Sequence, residues 1–270
     1  MIQKVLIPAN NGQRYYESHY RFFALAMQAA GAKVEAKAGL RDFEVSFETM
    51  IDGRPAVIDY SDHHKVEAVD LGLPIFKSHY SKERHRDLPN VFPFSPISFY
   101  DWGEVKPVNY QPAESRRILN AQRPGGAAKD RREAVQAILR GRYGADLDTE
   151  ITDQVGFWRR GGDCLVAVCI PGARTDILDR GQLQLMALGV CTISPVLDIT
   201  LPRWITLRPG VDYLTCQPDF SNLPKAIEFV RENPKPAQAI GQSAREMFKR
   251  YLMPTELAEW MQLCLILEAE

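Results

Sequence analysis

At 270 residues, with 45% hydrophobic and 25% charged residues and a formal net charge of −1, the chain has the composition of an ordinary globular protein. The length suits two small domains, and the balanced charge excludes a global pull toward nucleic acid or an anionic membrane, leaving only local basic faces. No apolar run reaches the roughly 18 residues that a membrane span needs. The opening MIQKVLIPAN is too short in apolar content for a secretory leader and reads as a strand. Cys164, Cys169, Cys191, Cys216 and Cys264 lack paired CxxC spacing and sit in apolar contexts, which predicts buried reduced thiols and a cytoplasmic location.

Residues 4–10 (KVLIPAN) predict a first strand and its loop. A helix is expected from about 16 to 30, with Phe22, Phe23, Leu25, Ala26 and Ala29 on its buried face and Gly31 as its stop. Strands are expected at 33–38 (KVEAKA), 56–62 (AVIDYSD), 74–80 (PIFKSHY) and 91–96 (VFPFSP). Strands alternating with helical stretches predict a parallel sheet with right-handed crossovers. The stretch 103–115 has two prolines and no periodicity, and reads as a linker.

The pattern then restarts. A strand at 116–122 (RRILNAQ) runs into the glycine turn RPGGAAKD and an amphipathic helix at 129–144, with Ala134, Val135, Ile138 and Leu139 as its apolar face. CLVAVCI (164–170) is apolar throughout, as a strand covered on both sides would be. A helix ending at Gly189 feeds the strand VCTISP (190–195), DYLTC (212–216) reads as an edge strand, and 222–233 as a helix. Helical sequence fills 236–266 with a break at Pro254, beyond which Leu257, Trp260 and Leu263 are spaced as one face.

Several stretches, taken as an ordered series, resemble the C-terminal half of a GT-B-type glycosyltransferase: ILNAQRPGGAAKDRR, CLVAVCIPGARTD, RGQLQLMALGVCTISP, PGVDYLTC, DFSNLPKAIEFVRENP and the terminal IGQSAREMFKRYLMPTELAEWM. The resemblance covers roughly 116–266. It implies two Rossmann-like α/β domains facing a central cleft: an acceptor-side domain at 1–105, a nucleotide-sugar domain at 116–250, and a helix at 251–270 that packs back toward the first. It further implies a hexosyl or pentosyl transferase that moves a sugar from a nucleotide-sugar donor to a hydroxyl acceptor, with no cofactor and no metal required. The acceptor is left open among a glycan, a small molecule and a modified base in DNA.

Within that resemblance, Arg123 and Lys129 flank the PGGAA turn and would hold the donor diphosphate, the glycines letting backbone approach it. A solvated basic turn is the plainer reading, since Arg131 and Arg132 follow. Many retaining members carry two glutamates eight residues apart around the helix before the glycine. Here those positions hold Asp176 and Gln184, so the choice between retention and inversion stays open. Gln184 would bond ribose hydroxyls, Asp176 the sugar, and Arg180, one turn before Gln184, the phosphate. Against this, Arg180 also reads as a surface arginine and Asp176 as a helix cap.

In the first domain, DYSDHH (59–64) is the most polar strand end. Asp62, and after it His63, are the candidates to take the acceptor proton. A metal reading of this Asp and the adjacent His63 and His64 is weakened because neighbours on extended chain point to opposite sides. A hydrogen-bonded turn is the alternative. Gly12, Arg14 and His19 lie on or just after the polar loop beyond the first strand, where the resemblance places the acceptor and donor phosphates; a plain strand-to-helix loop accounts for them equally. FKSHYSKERHR (76–86) offers Lys77, His79, Lys82, Arg84, His85 and Arg86 beside Tyr80, either as a polyanion contact, which keeps a nucleic-acid acceptor open, or as a solvated basic loop. Two other functions fit the same residues: a nucleotide-sugar-binding protein without transfer activity, and a sugar-nucleotide epimerase.

Overall fold

The computed structural model describes residues 1–9 and 17–268 of the chain. It comprises two compact α/β units, one made of Met1–Glu104, Ile199–Thr206 and Arg250–Glu270, the other of Val105–Asp198 and Leu207–Lys249.

The first unit opens with β1 (Lys4–Pro8), α1 (Glu17–Ala29) and β2 (Lys33–Lys37), and Gly31 takes the left-handed conformation (φ 91°) that turns the chain out of the helix. Next come β3 (Ser46–Ile51), β4 (Arg54–Asp59), β5 (Ile75–Lys77), the one-turn α2 (Lys82–His85) and β6 (Val91–Pro93). The sheet order is β2-β1-β3-β4-β5-β6. The wholly parallel sheet expected from the sequence needs one correction, because β3 runs antiparallel to both β1 and β4. Its cause is the two-residue turn Asp52–Gly53, with φ 48° and 82°, which closes a β3–β4 hairpin. An Asp-Gly pair between apolar runs is the sequence signal for that hairpin. Phe23, Phe47, Tyr60, Phe76 and Phe94 pack as an aromatic core on this sheet, the Phe23 ring lying 5.8 Å from that of Phe47 and 6.3 Å from that of Phe94.

The second unit begins with β7 (Ile118–Leu119), α3 (Lys129–Tyr143), β8 (Leu147–Asp148), α4 (Gln154–Gly162), β9 (Val166–Val168), α5 (Arg180–Leu188) and β10 (Thr192–Pro195). The chain then returns to the first unit for the short hairpin β11 (Thr200–Leu201) and β12 (Ile205–Thr206). It completes the second with β13 (Leu214–Cys216), α6 (Leu223–Glu232) and most of α7 (Pro234–Tyr251). All pairings in the five-stranded sheet are parallel, in the order β8-β7-β9-β10-β13. The strand order reverses between β7 and β9, so the loops leaving their carboxyl ends diverge and open a crevice there. β9 is buried along its length, as an apolar run flanked by parallel neighbours requires. Gly189 ends α5 at φ 89°, and an added Cβ on Gly241 of α7 would overlap the Gly189 carbonyl, so this approach of α7 to the end of α5 needs glycine. On α3 the buried stripe is Val135, Leu139 and Tyr143 with Gln136, while Ala134 and Ile138 face solvent, one position round from the expected face.

The last helix, α8 (Pro254–Leu267), belongs to the first unit and packs on α1. Leu257 and Trp260 are buried as expected; Leu263 is exposed. Arg54 donates to the Leu265 carbonyl and Trp260 Nε1 to the Pro93 carbonyl, tying the helix to β4 and β6. Among the described residues no helix is long and apolar enough to cross a membrane. All five cysteines are free and buried, and burial pushes their thiols up, so none presents a ready thiolate.

Candidate functional site

Polar side chains gather at the carboxyl ends of both sheets. In the first unit, Asp59, Lys77 and Pro93 are the last residues of three paired parallel strands. Lys77 and Asp59 are fully buried and form an ion pair at 2.9 Å. The Lys77 ammonium has three acceptors: Asp59 Oδ1, the Ser61 carbonyl at 2.9 Å, and Ser61 Oγ. Asp59 Oδ1 also accepts from the Ser61 backbone N–H at 2.8 Å. A buried ammonium with every proton bonded acts as a staple, holding the turn after β4 against the end of β5.

Asp62 stands just beyond that staple. Its side chain is 43% exposed, and its Oδ1 lies 3.7 Å from Nδ1 of the buried His79. His79 Nδ1 also lies 3.2 Å from the Ser61 carbonyl, a bond that favours the proton on Nδ1 and turns that edge toward Asp62. His63 is exposed, and its carbonyl accepts from Ser61 Oγ at 3.4 Å. His85 Nε2 lies 2.7 Å from the His64 carbonyl and its Nδ1 2.9 Å from the Ser81 N–H. Its Nδ1 also lies 3.0 Å from the Ser81 carbonyl, so the ring joins the His64 and Ser81 segments. Burial, more than any neighbouring charge, lowers the pKa of His85.

The basic stretch 76–86 is therefore not one solvated loop. Lys77, His79 and His85 are internal, and Lys82, Arg84 and Arg86 are exposed. His19, in α1, is buried with its ring 4.9 Å from that of Tyr60. Gly12 and Arg14 lie outside the described residues.

In the second unit the crevice between β7 and β9 is built by side chains that continue the sheet. Gln122 imitates a backbone partner, donating from Nε2 to the Ile170 carbonyl at 3.1 Å and accepting the Ile170 N–H on Oε1 at 2.6 Å. Asn120 donates to the Val168 carbonyl at 2.9 Å. Arg131 clasps the carbonyls of Pro171 and Gly172, and Arg132 those of Arg123 and Ile170. Arg132 also reaches Asp179 at 3.3 Å. Asp179 caps α5 by accepting from the Gly181 N–H at 2.8 Å, and its burial raises its pKa against the pull of Arg132.

The two helix starts at this crevice differ. α5 is closed by its own Asp179. α3 has no side-chain cap: the chain enters it through a 3-10 turn at Gly126–Ala128, whose Gly126 carbonyl accepts the Lys129 N–H, and the positive end of the helix dipole faces outward there. Arg123 and Lys129 stand exposed on either side of that start. An added Cβ at Gly125 would meet nothing within 4 Å, and its φ of −177° is open to any residue, so packing within the chain does not demand glycine there.

Arg180 is the exposed first residue of α5, whereas Gln184 one turn on is buried and accepts from Trp158 Nε1 at 2.9 Å. Asp176 is gripped by both arms of Arg174 at 2.9 and 2.8 Å. Gln182, between the two positions singled out from the sequence, donates to Thr192 Oγ1 and Ser194 Oγ at 3.2 and 2.9 Å. The sequence did signal it: Asp179 and Gln182 have the spacing of a capping box, although Gln182 turns to β10 and not back to the cap. Asn120 Oδ1 and Gln182 Oε1 are buried without a hydrogen-bond partner among the described residues. Buried orphan acceptors cost roughly 1–3 kcal/mol each, so they call for an explanation beyond packing.

No protein-family model matches the chain, and no curated protein matches it. Among solved structures, a sucrose-phosphate synthase from Thermosynechococcus elongatus is similar to it at 18% identity with a TM-score of 0.41, over 56% of this chain and 38% of that one.

Proposed function

We propose that the chain is a glycosyltransferase of the GT-B type, with the donor nucleotide sugar held by the second unit and the hydroxyl acceptor by the first. The observation that carries this reading is the start of α3 without a side-chain cap, beside a strand-order reversal, with Arg123 and Lys129 exposed around a turn whose Gly125 is not required by packing. A helix dipole unopposed by a side-chain cap and two exposed cations suit the charge of a diphosphate leaving group. Arg180 adds a third cation at the neighbouring helix. Asp176 and Gln184 stand second in this assignment, since each already has a protein partner.

On the acceptor side, Asp62 is the general base. It is the carboxylate of this strand end that reaches solvent, and the Nδ1–H of His79 behind it would orient that carboxylate. His63, exposed beside it, is the second choice. The domain limits 1–105, 116–250 and 251–270 belong to the same proposal, as does transfer to a glycan, small molecule or DNA base.

The test is a thermal-shift screen of nucleotide sugars followed by product analysis. A donor at 100 times its Kd should stabilise the protein by about 2.7 kcal/mol. Arg123→Ala should weaken that donor by about 1.5–3 kcal/mol, the size of a charged hydrogen bond. Asp62→Asn should spare donor binding and cut turnover roughly 10²–10⁴-fold. Binding without transfer or hydrolysis would leave a nucleotide-sugar-binding protein, and an interconverted donor would make it an epimerase.

A further inference from the structure

The β11–β12 hairpin of the first unit carries an unusual backbone. Arg203 and Trp204 both adopt the left-handed conformation, with φ of 57° and 61°. Neither is glycine, and bulky residues held in that region are strained. The hairpin has only two pairs, Thr200 with Thr206 and Leu201 with Ile205, so its ladder offers little to offset the strain.

The strain places two side chains over α8. Arg203 reaches Glu259 at 3.1 Å and Glu256 at 3.6 Å. Trp204 meets Trp260 at 6.0 Å and Tyr80 at 5.5 Å, with interplanar angles of 87° and 76°. Two near-perpendicular aromatic neighbours fix the plane of the indole. Yet Trp204 remains 46% exposed, whereas Trp158 and Trp260 are buried. A tryptophan held rigid, strained and half in solvent does not serve the core.

We infer that Trp204 is a stacking platform for the ring of a neutral sugar, rimmed by Arg203, Glu256 and Glu259. The C–H groups of a pyranose face cover an indole as another apolar surface would. The hydroxyls at the ring edge are donors and acceptors at once, and a guanidinium beside two carboxylates answers both. Charge selects against the other ring ligand that stacks on tryptophan: one arginine against two glutamates leaves this rim negative, which repels the phosphates of a nucleic-acid strand. Tyr80 lies three residues beyond Lys77, the last residue of β5, so the platform adjoins the strand ends that carry Asp62 and His79.

The assignment rests on the transferase reading for treating the sugar as the acceptor; the binding itself is independent of the donor. The experiment uses the full chain with neutral oligosaccharides of gluco, galacto and N-acetylglucosamine type, and a single-stranded oligonucleotide for comparison. Saturation-transfer NMR and tryptophan fluorescence report contact with the indole. At least one saccharide should bind the unaltered protein and shift the tryptophan emission. Trp204→Ala should weaken it tenfold or more, and Trp204→Phe, which keeps a stacking ring, should retain most of the affinity. The thermal shift given by the nucleotide-sugar donor should be the same in all three proteins, which also shows that the variants are folded. Saccharide affinity unchanged in Trp204→Ala, no saccharide binding to the unaltered protein, or preferential binding of the oligonucleotide would each overturn the platform. Loss of the donor shift alone would overturn the transferase reading and leave the platform standing.

Discussion

Lys77 and Arg123 are both cations beyond or at the carboxyl ends of parallel strands, and they live in opposite conditions. Lys77 is fully buried, with all three protons on acceptors from its own unit. Arg123 is exposed, and it is its backbone carbonyl, not its guanidinium, that the neighbouring Arg132 holds. The first is committed to the fold, since a buried charge survives only where geometry repays its lost hydration. The second is free of that duty and costs the fold little. Position at the end of a strand therefore does not tell the two cations apart; the state of their hydrogen bonds does.

The largest test of this contrast is Lys77→Met. It leaves the Asp59 carboxylate buried without its cation, and should destabilise the first unit by about 3–5 kcal/mol in denaturant unfolding. Asp59→Leu combined with Lys77→Met should recover much of that loss. A single-site cost below about 1 kcal/mol would mean that the pair is not a staple, and would erase the distinction from Arg123.

A smaller effect comes from His85, which joins the segments around His64 and Ser81 as a neutral ring. Its folded pKa is depressed, chiefly by burial and further by Lys77, while the His64 and Ser81 backbone bonds and Asp59 oppose the shift. The unfolded chain protonates near the ordinary histidine value of about 6.5. The contribution of His85 is thus complete above that pH and is lost as the pH falls toward the folded value. Unfolding midpoints between pH 7.5 and pH 5 should fall for the unaltered protein, and fall less for His85→Gln.

The smallest effect expected on stability is that of Arg123→Ala, within about 0.5 kcal/mol. Equal stability together with weakened donor binding would place Arg123 and Lys77 at the two extremes the structure assigns them.

Much of the second unit, and the last helix of the first, was legible because their signals are local. The run CLVAVCI, the stop at Gly189 and the break at Pro254 each declare themselves within a few residues, and β9, α5 and α8 lie where they point. The antiparallel β3 was missed although its Asp52–Gly53 turn was in plain view, because the alternation along SFETMI is imperfect. The stripe of α3 was misplaced by one position, since Ala134 and Ile138 fit a helical period as well as Val135 and Leu139 do, and only tertiary packing chooses between them. In the candidate sites, residue types were readable but partners were not. Nothing in FKSHYSKERHR separates the buried Lys77 from the exposed Lys82, because the partner of Lys77 comes from β4, 18 positions earlier. Trp204 was equally silent: left-handed backbone at Arg203 and Trp204 contradicts their residue preferences, so no local rule announces it.

The interrupted course of the first unit bears on how the protein is made. Synthesis produces its six-stranded sheet first, yet the hairpin at Ile199–Thr206 and the helix α8 that ties β4 and β6 through Leu265 and Trp260 leave the ribosome far later. Domains commonly fold in the order in which they emerge. Here the unit begun first is completed last, and the five strands of the second sheet are all available before α8 exists. A nascent chain stopped at residue 249 would carry a finished second sheet and a first sheet still missing the helix that packs on α1.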